Sequence, residues 1–179
     1  MTICWYFCYK IYPMERQQIE EIKQRILEID PCIKFNEEHE DKLIGYAERF
    51  GMHIIPLYEG VNTFFTDTND DAEKKAQELT DIPVGTFPGL EDSVVGYVTL
   101  ENNAVAILHD KEAYLERLAS EYEQEGLKSG EKEDPGYSYY VQALEWYDYN
   151  VLGLGLSDRT TPAFACTDEF SLPATATNN

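Results

Sequence analysis

Apolar residues recur three or four positions apart in several stretches of the chain, which is the spacing of one helical face. Between Pro13 and Pro31 four isoleucines keep this spacing, and charged residues occupy most of the positions between them. The pattern predicts an amphipathic helix that ends before Pro31, because the residue before a proline disfavours helical backbone. The same spacing predicts further helices over 70–79, 110–125 and 137–150.

Another helix is predicted over 36–51. Asn36 suits its N-terminal cap and Gly51 suits its C-terminal end. The first turn is rich in acidic residues, which agree with the positive end of the helix dipole. The apolar side of this predicted helix consists of Leu43, Ile44, Ala47 and Phe50.

Runs of β-branched and aromatic residues predict strands. Two such runs, 93–100 and 104–108, flank Asn102 and Asn103. Asparagine tolerates the positive φ values that a tight turn requires, so these runs predict an antiparallel hairpin. Further strands are predicted over 3–9, 32–35, 52–58, 61–66 and 163–168.

Strands and helices together predict an α+β fold. We expect a mixed or antiparallel sheet with a central hairpin at about 93–108, on which four to five amphipathic helices pack. The chain divides into an N-terminal α/β segment over 1–80 and a C-terminal α+β core over 81–170, which we expect to form one compact unit. Residues 171–179 show no periodicity and are predicted to be a disordered tail.

The charge of the chain narrows the choice of partner. Thirty-four acidic and fourteen basic side chains give a formal net charge of −20. Residues 1–80 carry 16 acids and 9 bases, a net −7, whereas 81–179 carry 18 acids and 5 bases, a net −13. Such a charge repels nucleic acids and anionic membranes and speeds encounter with basic surfaces, although it also serves solubility alone. We expect a basic protein surface as partner, with no direct nucleic-acid contact and no membrane.

The four cysteines indicate a reducing compartment. Cys4, Cys8, Cys32 and Cys166 show neither the paired spacing of a zinc site nor the density of a disulfide scaffold. The N-terminus lacks the basic region of a signal peptide, and no apolar run reaches the length of a membrane span. These features predict a cytoplasmic protein.

No motif predicts a cofactor, a metal or a catalytic centre. The oxygens of Asp67, Asn69, Asp71 and Glu78 partly match a calcium loop, but Ala72 replaces the required glycine, so the segment is interpreted as a helix-capping turn. The three histidines, His39, His53 and His109, lie far apart in the sequence, and His109 is interpreted as a strand-end or cap residue. The glycines after the last predicted helix suit a helix stop better than a phosphate loop.

Acidic and aromatic residues of the second half form the candidate binding surface. Carboxylates attract Lys and Arg, and the faces of exposed Tyr and Trp rings accept cations. The last helix is predicted to bury Tyr140, Ala143, Leu144 and Tyr147 along one stripe, which leaves its other aromatic residues off that stripe. The predicted partner-binding residues are Glu112, Glu116, Glu121, Glu123, Glu125, Glu131, Glu133, Asp134, Tyr139, Glu145, Trp146, Asp148 and Tyr149.

Four short runs, 90–97, 104–110, 143–153 and 160–164, resemble small acidic proteins of unassigned function that occur in bacteriophages and mobile elements. The resemblance covers 89–170 only. This chain differs by a longer acidic loop at 124–136 and by Leu156 and Ser157 where a further glycine is expected. The resemblance implies a phage or mobile-element origin, and hence the cytoplasm of a host cell, but no active site.

Three functions follow from these expectations. The first is a non-enzymatic inhibitor of a host nuclease or defence complex, of the anti-CRISPR or anti-restriction type, in which carboxylates imitate phosphates. Glutamates four positions apart, such as Glu112 with Glu116 and Glu121 with Glu125, would then follow a phosphate track. The second is a regulatory or assembly module that acts through apolar contacts or as a homodimer. The third is an enzyme of unrecognised type.

Overall fold

The structure is a computed structural model that describes residues 15–49, 53–86, 89, 91–130, 137–153 and 162–166. The predicted strand over 3–9 and the predicted tail lie outside these residues. Within them the α+β prediction is confirmed, since four α-helices accompany one mixed sheet of six strands. The helices are α1 (Arg16–Ile29), α2 (Asn69–Glu78), α3 (Lys111–Ser129) and α4 (Tyr139–Tyr147), which a π-helical segment, Asp148–Gly153, extends.

Side chains at the helix starts explain where three of the helices begin. Thr68, Asp110 and Ser138 each accept a hydrogen bond from a backbone N–H in the first turn of α2, α3 and α4, respectively. These bonds satisfy amide groups that have no partner inside the helix. At the other end of α3, Gly130 adopts a left-handed conformation with a φ of 74°. The predicted cap at Asp110 is therefore confirmed.

The strands are β1 (Leu43–Arg49), β2 (His53–Tyr58), β3 (Thr63–Phe65), β4 (Val94–Thr99), β5 (Val105–Asp110) and β6 (Ala163–Ala165). Their order in the sheet is β2-β1-β6-β5-β4-β3. Only β5 and β6 pair in parallel, and the other described pairs are antiparallel. The predicted hairpin is β4–β5, whose turn contains Asn103 with a φ of 59°. Since β3 pairs with β4, the two predicted segments of the chain share one sheet.

Two local predictions in the N-terminal segment are wrong. Instead of a helix over 36–51, a 3-10 segment (Glu37–Lys42) leads into β1. Asn36 does cap this segment, because its side chain accepts a hydrogen bond from the backbone N–H of Glu38. The spacing of the apolar positions after it suits a helix, but pairing with both β2 and β6 makes the segment a strand. A register shift between Leu43 and Gly45 then places Leu43 and Ala47 in different clusters. The predicted strand over 32–35 is irregular backbone.

The helices pack on one face of the sheet. Alternation along β6 places Phe164 and Cys166 on that face, where Phe164 packs with α3 and α4 and Cys166 belongs to the cluster of α1. On the same face of β5, Ile107 packs with α2. The opposite face carries another cluster, which contains Leu57, Val95, Val98, Leu108 and the alanines at 47, 106, 163 and 165.

The sheet is curled, and Asn62 joins its two ends. The Asn62 side chain accepts from the Tyr58 N–H at 2.8 Å and donates to the Pro56 carbonyl at 2.9 Å, so it satisfies two backbone groups on the outer edge of β2. Its own carbonyl accepts from the Thr99 N–H at 2.8 Å. Edge strand β2 is thus capped by a side chain and interrupted by proline, which are two ways of preventing further strand pairing.

Candidate functional site

Helix α3 carries five of the predicted binding residues on two separate sides. At about 100° per residue, Glu112, Glu116 and Glu123 lie within about 40° of one another around the helix axis. By the same geometry Glu121 and Glu125 lie on the opposite side of the helix, about 180° around its axis from Glu112 and Glu116, respectively. Glu116, Glu123 and Glu125 are exposed, and the other two are partly buried. The two glutamate pairs therefore face different directions and do not form one continuous track.

Helix α4 packs on α3 through the stripe predicted for it. Ala143 and Tyr147 are buried, and Tyr140 and Leu144 pack against the same cluster, which confirms that part of the prediction. The hydroxyl of Tyr140 donates to Glu112 at 2.8 Å. Tyr139 lies so close to α3 that a Cβ atom on Gly126 would be 2.3 Å from its hydroxyl oxygen. Glu112 and Tyr139 are thus occupied in the contact between the two helices.

A shallow groove of about 740 Å³ opens beside this helix pair. We call it the acidic–aromatic groove. It brings together Glu145, Trp146, Asp148 and Tyr149, four of the predicted residues, and adds aromatic rings from outside α4. Its lining residues are Tyr122, Tyr137, Gln142, Glu145, Trp146, Asp148, Tyr149 and Asn150. None of these described lining residues is basic.

The groove presents aromatic rings and carboxylates to solvent. Tyr149 is 68% exposed and Tyr137 is 38% exposed, and both Glu145 and Asp148 are exposed. The Tyr137 hydroxyl donates a short hydrogen bond to Glu145 Oε2, and this bond raises the pKa of Tyr137. At the far side of the groove, burial and then the charges of Glu125 and Glu121 raise the pKa of Tyr122. Both tyrosines therefore lie beside carboxylates.

The remaining predicted residues, Glu131, Glu133 and Asp134, lie outside the described residues.

On α3, Glu121 pairs with Arg117 at 3.4 Å, an exposed i, i+4 contact on the helix surface. Such a pair contributes only a few tenths of a kcal/mol, about 0.3 to 0.5. Glu116 and Glu123 face solvent on the side of α3 that carries Glu112.

Sequence reasoning missed a buried pair, Ser93 and His109. Ser93 Oγ lies 2.6 Å from His109 Nδ1, and the two residues are 3% and 0% exposed. Phe164 stacks on the imidazole at 5.2 Å, and burial lowers the pKa of His109 to about 4 against the opposing charge of Glu91. A serine beside a histidine suggests a nucleophile and its base. Here the surrounding core encloses both groups, so the pair is a structural hydrogen bond, and His109 is a core residue more than a cap.

A second cluster that the sequence did not reveal joins β1, α3 and α4. Lys111 Nζ lies 2.8 Å from Glu48 Oε2, and the Tyr147 hydroxyl donates to the same oxygen at 3.2 Å. Burial alone would lower the pKa of Lys111. The hydrogen bond to Glu48 and the charge of Glu48 outweigh burial, so the pKa of Lys111 is raised. Burial, with the charge of Glu48, raises the pKa of the nearby Cys166 thiol to about 12. A lysine held protonated and a thiol held neutral are poor nucleophiles, so we interpret the cluster as contacts that link β1 with α3 and α4.

Within the described ranges, no group of three or more His, Cys, Asp or Glu side chains is arranged to hold a metal ion. At the calcium-like segment, Thr68 accepts from the Asp71 N–H at 3.2 Å, and α2 begins at Asn69. That geometry confirms the helix-capping interpretation of this turn. None of the described helices is long and apolar enough to cross a membrane.

A larger groove of about 1000 Å³ lies where the ends of the curled sheet face each other. Ile55 and Pro56 of β2 line it from one side, and Leu100 beside the hairpin turn lines it from the other. Both Arg49 and Glu101 also line it, so its charges have both signs and do not define one class of ligand. In the acidic–aromatic groove, in contrast, the charged residues among the described lining are all acidic.

The chain matches no protein-family model, no curated protein and no solved structure. The resemblance to phage proteins therefore stays a prediction.

Proposed function

We propose that this protein is a non-enzymatic, acidic binding protein whose acidic–aromatic groove receives basic side chains of a partner protein. One observation carries the proposal: the exposed ring of Tyr149 lies in the same groove as the carboxylates of Glu145 and Asp148, and none of the described residues that line the groove is basic. Exposed aromatic rings beside carboxylates allow Lys and Arg to form cation–π contacts with the rings and charge-assisted hydrogen bonds with the carboxylates, as they do at protein interfaces.

The expected affinity of each contact is modest. A cation over an exposed ring contributes about 0.5 to 1 kcal/mol, and an exposed ion pair contributes about 0.2 to 1 kcal/mol. Several such contacts are needed for specific binding, so we expect a partner with a basic surface more than a single charged side chain. The net charge of −20 would speed the encounter with that surface at low salt.

For a phage-type protein, we propose that this binding inhibits a nucleic-acid-binding defence enzyme. Basic residues that occupy the groove are no longer free to contact phosphates, so binding and inhibition would be linked. Because the glutamate pairs of α3 face different directions, we assign this contact to the groove and not to a phosphate-like track along α3.

The test compares two variants that each remove two negative charges. Glu145→Gln with Asp148→Asn changes the groove, and Glu116→Gln with Glu123→Gln changes the solvent-facing side of α3. The probe is a peptide of alternating Arg and Lys, titrated by calorimetry into the full chain at roughly 50 mM and roughly 300 mM salt. We expect the groove variant to weaken binding at least fivefold more than the α3 variant, and high salt to weaken binding to the wild type.

Equal weakening by both variants would show attraction to net charge alone and would refute the groove as the site. Affinity that survives high salt would instead favour the module that acts through apolar contacts. For the inhibitor form, the chain is expressed in bacteria that carry a restriction or CRISPR system, and phage plating is counted. We expect plating to rise with the wild type and the α3 variant but not with the groove variant; equal plating in all strains would refute inhibition of those systems.

A further inference from the structure

We propose that the acidic–aromatic groove selects arginine over lysine in its partner. This inference rests on the proposed function and adds the identity of the side chain that is bound. It follows from three features of the groove: the arrangement of its rings, the spacing of its carboxylates and its openness to solvent.

The rings offer flat surfaces next to the carboxylates. Trp146 and Tyr149 are three positions apart at the end of α4 and in the segment that extends it, and both line the groove with Tyr122 and Tyr137. A guanidinium is planar and weakly hydrated on its two faces, so it can stack on such a ring while its N–H groups remain free in the plane. An ammonium group has no flat face and cannot form both contacts in this way.

The carboxylates are spaced for a forked donor. Glu145 and Asp148 are three positions apart along a helical segment, which brings their Cβ atoms to about 5 to 6 Å from each other. The hydroxyl of Tyr137 donates to Oε2 of Glu145 and so fixes the direction of that carboxylate. Arginine presents five N–H donors in a rigid fork and can contact two neighbouring carboxylates, whereas lysine presents a compact point charge.

The groove is open to solvent, and this openness disfavours close contact between a lysine ammonium group and the rings. Tyr149, Glu145 and Asp148 are exposed, so a lysine could meet these carboxylates while keeping its hydration shell and would gain little from the rings. Arginine loses less hydration when it stacks. The openness of the groove therefore favours arginine, whereas an enclosed aromatic cage suits ammonium ligands.

The experiment uses two peptides of equal charge, one with three arginines and one with three lysines, each spaced by glycine. The sequence contains two tryptophans, Trp5 and Trp146, so a full-length Trp5→Phe protein reports on the groove through Trp146 fluorescence. We expect the arginine peptide to bind about fivefold more tightly, with a change in Trp146 fluorescence. In Tyr149→Leu, which keeps the charge and alters a largely exposed residue, we expect the difference between the peptides to shrink to less than twofold.

The outcomes separate this inference from the proposed function. If both peptides bind equally and the groove charge variant, Glu145→Gln with Asp148→Asn, still weakens both, the groove binds basic side chains but arginine selection is wrong. If that variant weakens neither peptide more than Glu116→Gln with Glu123→Gln does, the site itself is refuted. A preference for arginine that Tyr149→Leu leaves unchanged would overturn the role assigned to the rings.

Discussion

Acidification should destabilise this protein through one buried histidine. His109 is 0% exposed, and its pKa falls from 6.5 to about 4 because burial disfavours the charged imidazolium, an effect that the charge of Glu91 only partly offsets. Between these two pKa values the unfolded chain binds a proton that the folded chain does not bind. The free energy of unfolding therefore rises with pH through this window and falls as the pH is lowered from about 6.5 to about 4.

The size of the effect follows from the shift in pKa. A change from 6.5 to about 4 corresponds to about 3 kcal/mol at a pH below both values, since each unit is worth about 1.4 kcal/mol. About 2 kcal/mol of this should already be lost between about pH 7.5 and pH 5. Two glutamates with lowered pKa values, Glu40 and Glu91, do not interfere in this range. Their pKa values lie below 4.5, so their contribution to the free energy of unfolding is lost only at lower pH.

Urea unfolding, followed by circular dichroism at several pH values between about 7.5 and 5, measures this loss. His109→Gln should be less stable than the wild type at neutral pH. On acidification, however, its free energy of unfolding should fall by less than that of the wild type, with a difference of at least about 1.5 kcal/mol. His53→Gln, which changes an exposed histidine, is the matched control. The reasoning is refuted if His109→Gln and the wild type lose stability in parallel, or if the imidazole of His109 titrates near pH 6.5 by NMR.

Two substitutions test the packing of the sheet and the partly buried ion pair of Lys111 and Glu48. Gly96→Ala should cost about 3 kcal/mol or more of unfolding free energy, because its Cβ would lie 2.0 Å from the backbone oxygen of Phe64. Gly60→Ala, which meets no atom within 4 Å, should cost only about 1 to 2 kcal/mol through its positive φ, and equal losses in thermal unfolding would contradict the predicted clash. Lys111→Met should cost about 2 kcal/mol of unfolding free energy, because the partly buried Glu48 carboxylate keeps the Tyr147 hydroxyl but loses its cation. Lys111→Met with Glu48→Gln should recover most of that loss in urea unfolding unless the pair is unimportant.

Local patterns predicted the elements that depend on local chemistry. The helices α1 and α3 follow from the spacing of apolar residues, and the β4–β5 hairpin follows from two β-rich runs around Asn103. The helix predicted over 36–51 was wrong because the spacing of Leu43, Ile44 and Ala47 suits a helix, and pairing with the neighbouring strands β2 and β6 overrides that local pattern. Pattern recognition therefore fails where pairing partners distant in sequence select the structure.

The candidate site shows the same division. The composition of 145–149 identified most of one side of the groove, since acidic and aromatic residues lie next to one another in the sequence. Tyr122 was not predicted as part of the groove because it comes from another helix. Ser93 and His109 are 16 positions apart and meet only through the register of the hairpin, and Glu48 and Lys111 are 63 positions apart. No local signal in the sequence announces such pairs.

The position of β6 has a consequence for how the protein is made. This strand, Ala163–Ala165, lies between β1 and β5 and is the backbone link between two parts of the sheet, β2-β1 and β5-β4-β3. The ribosome must therefore synthesise β1 to β5 before the strand that completes the sheet exists. Until then the inner edges of β1 and β5 are open to other chains, so the nascent protein passes through a stage that is prone to aggregation and on which a chaperone would act.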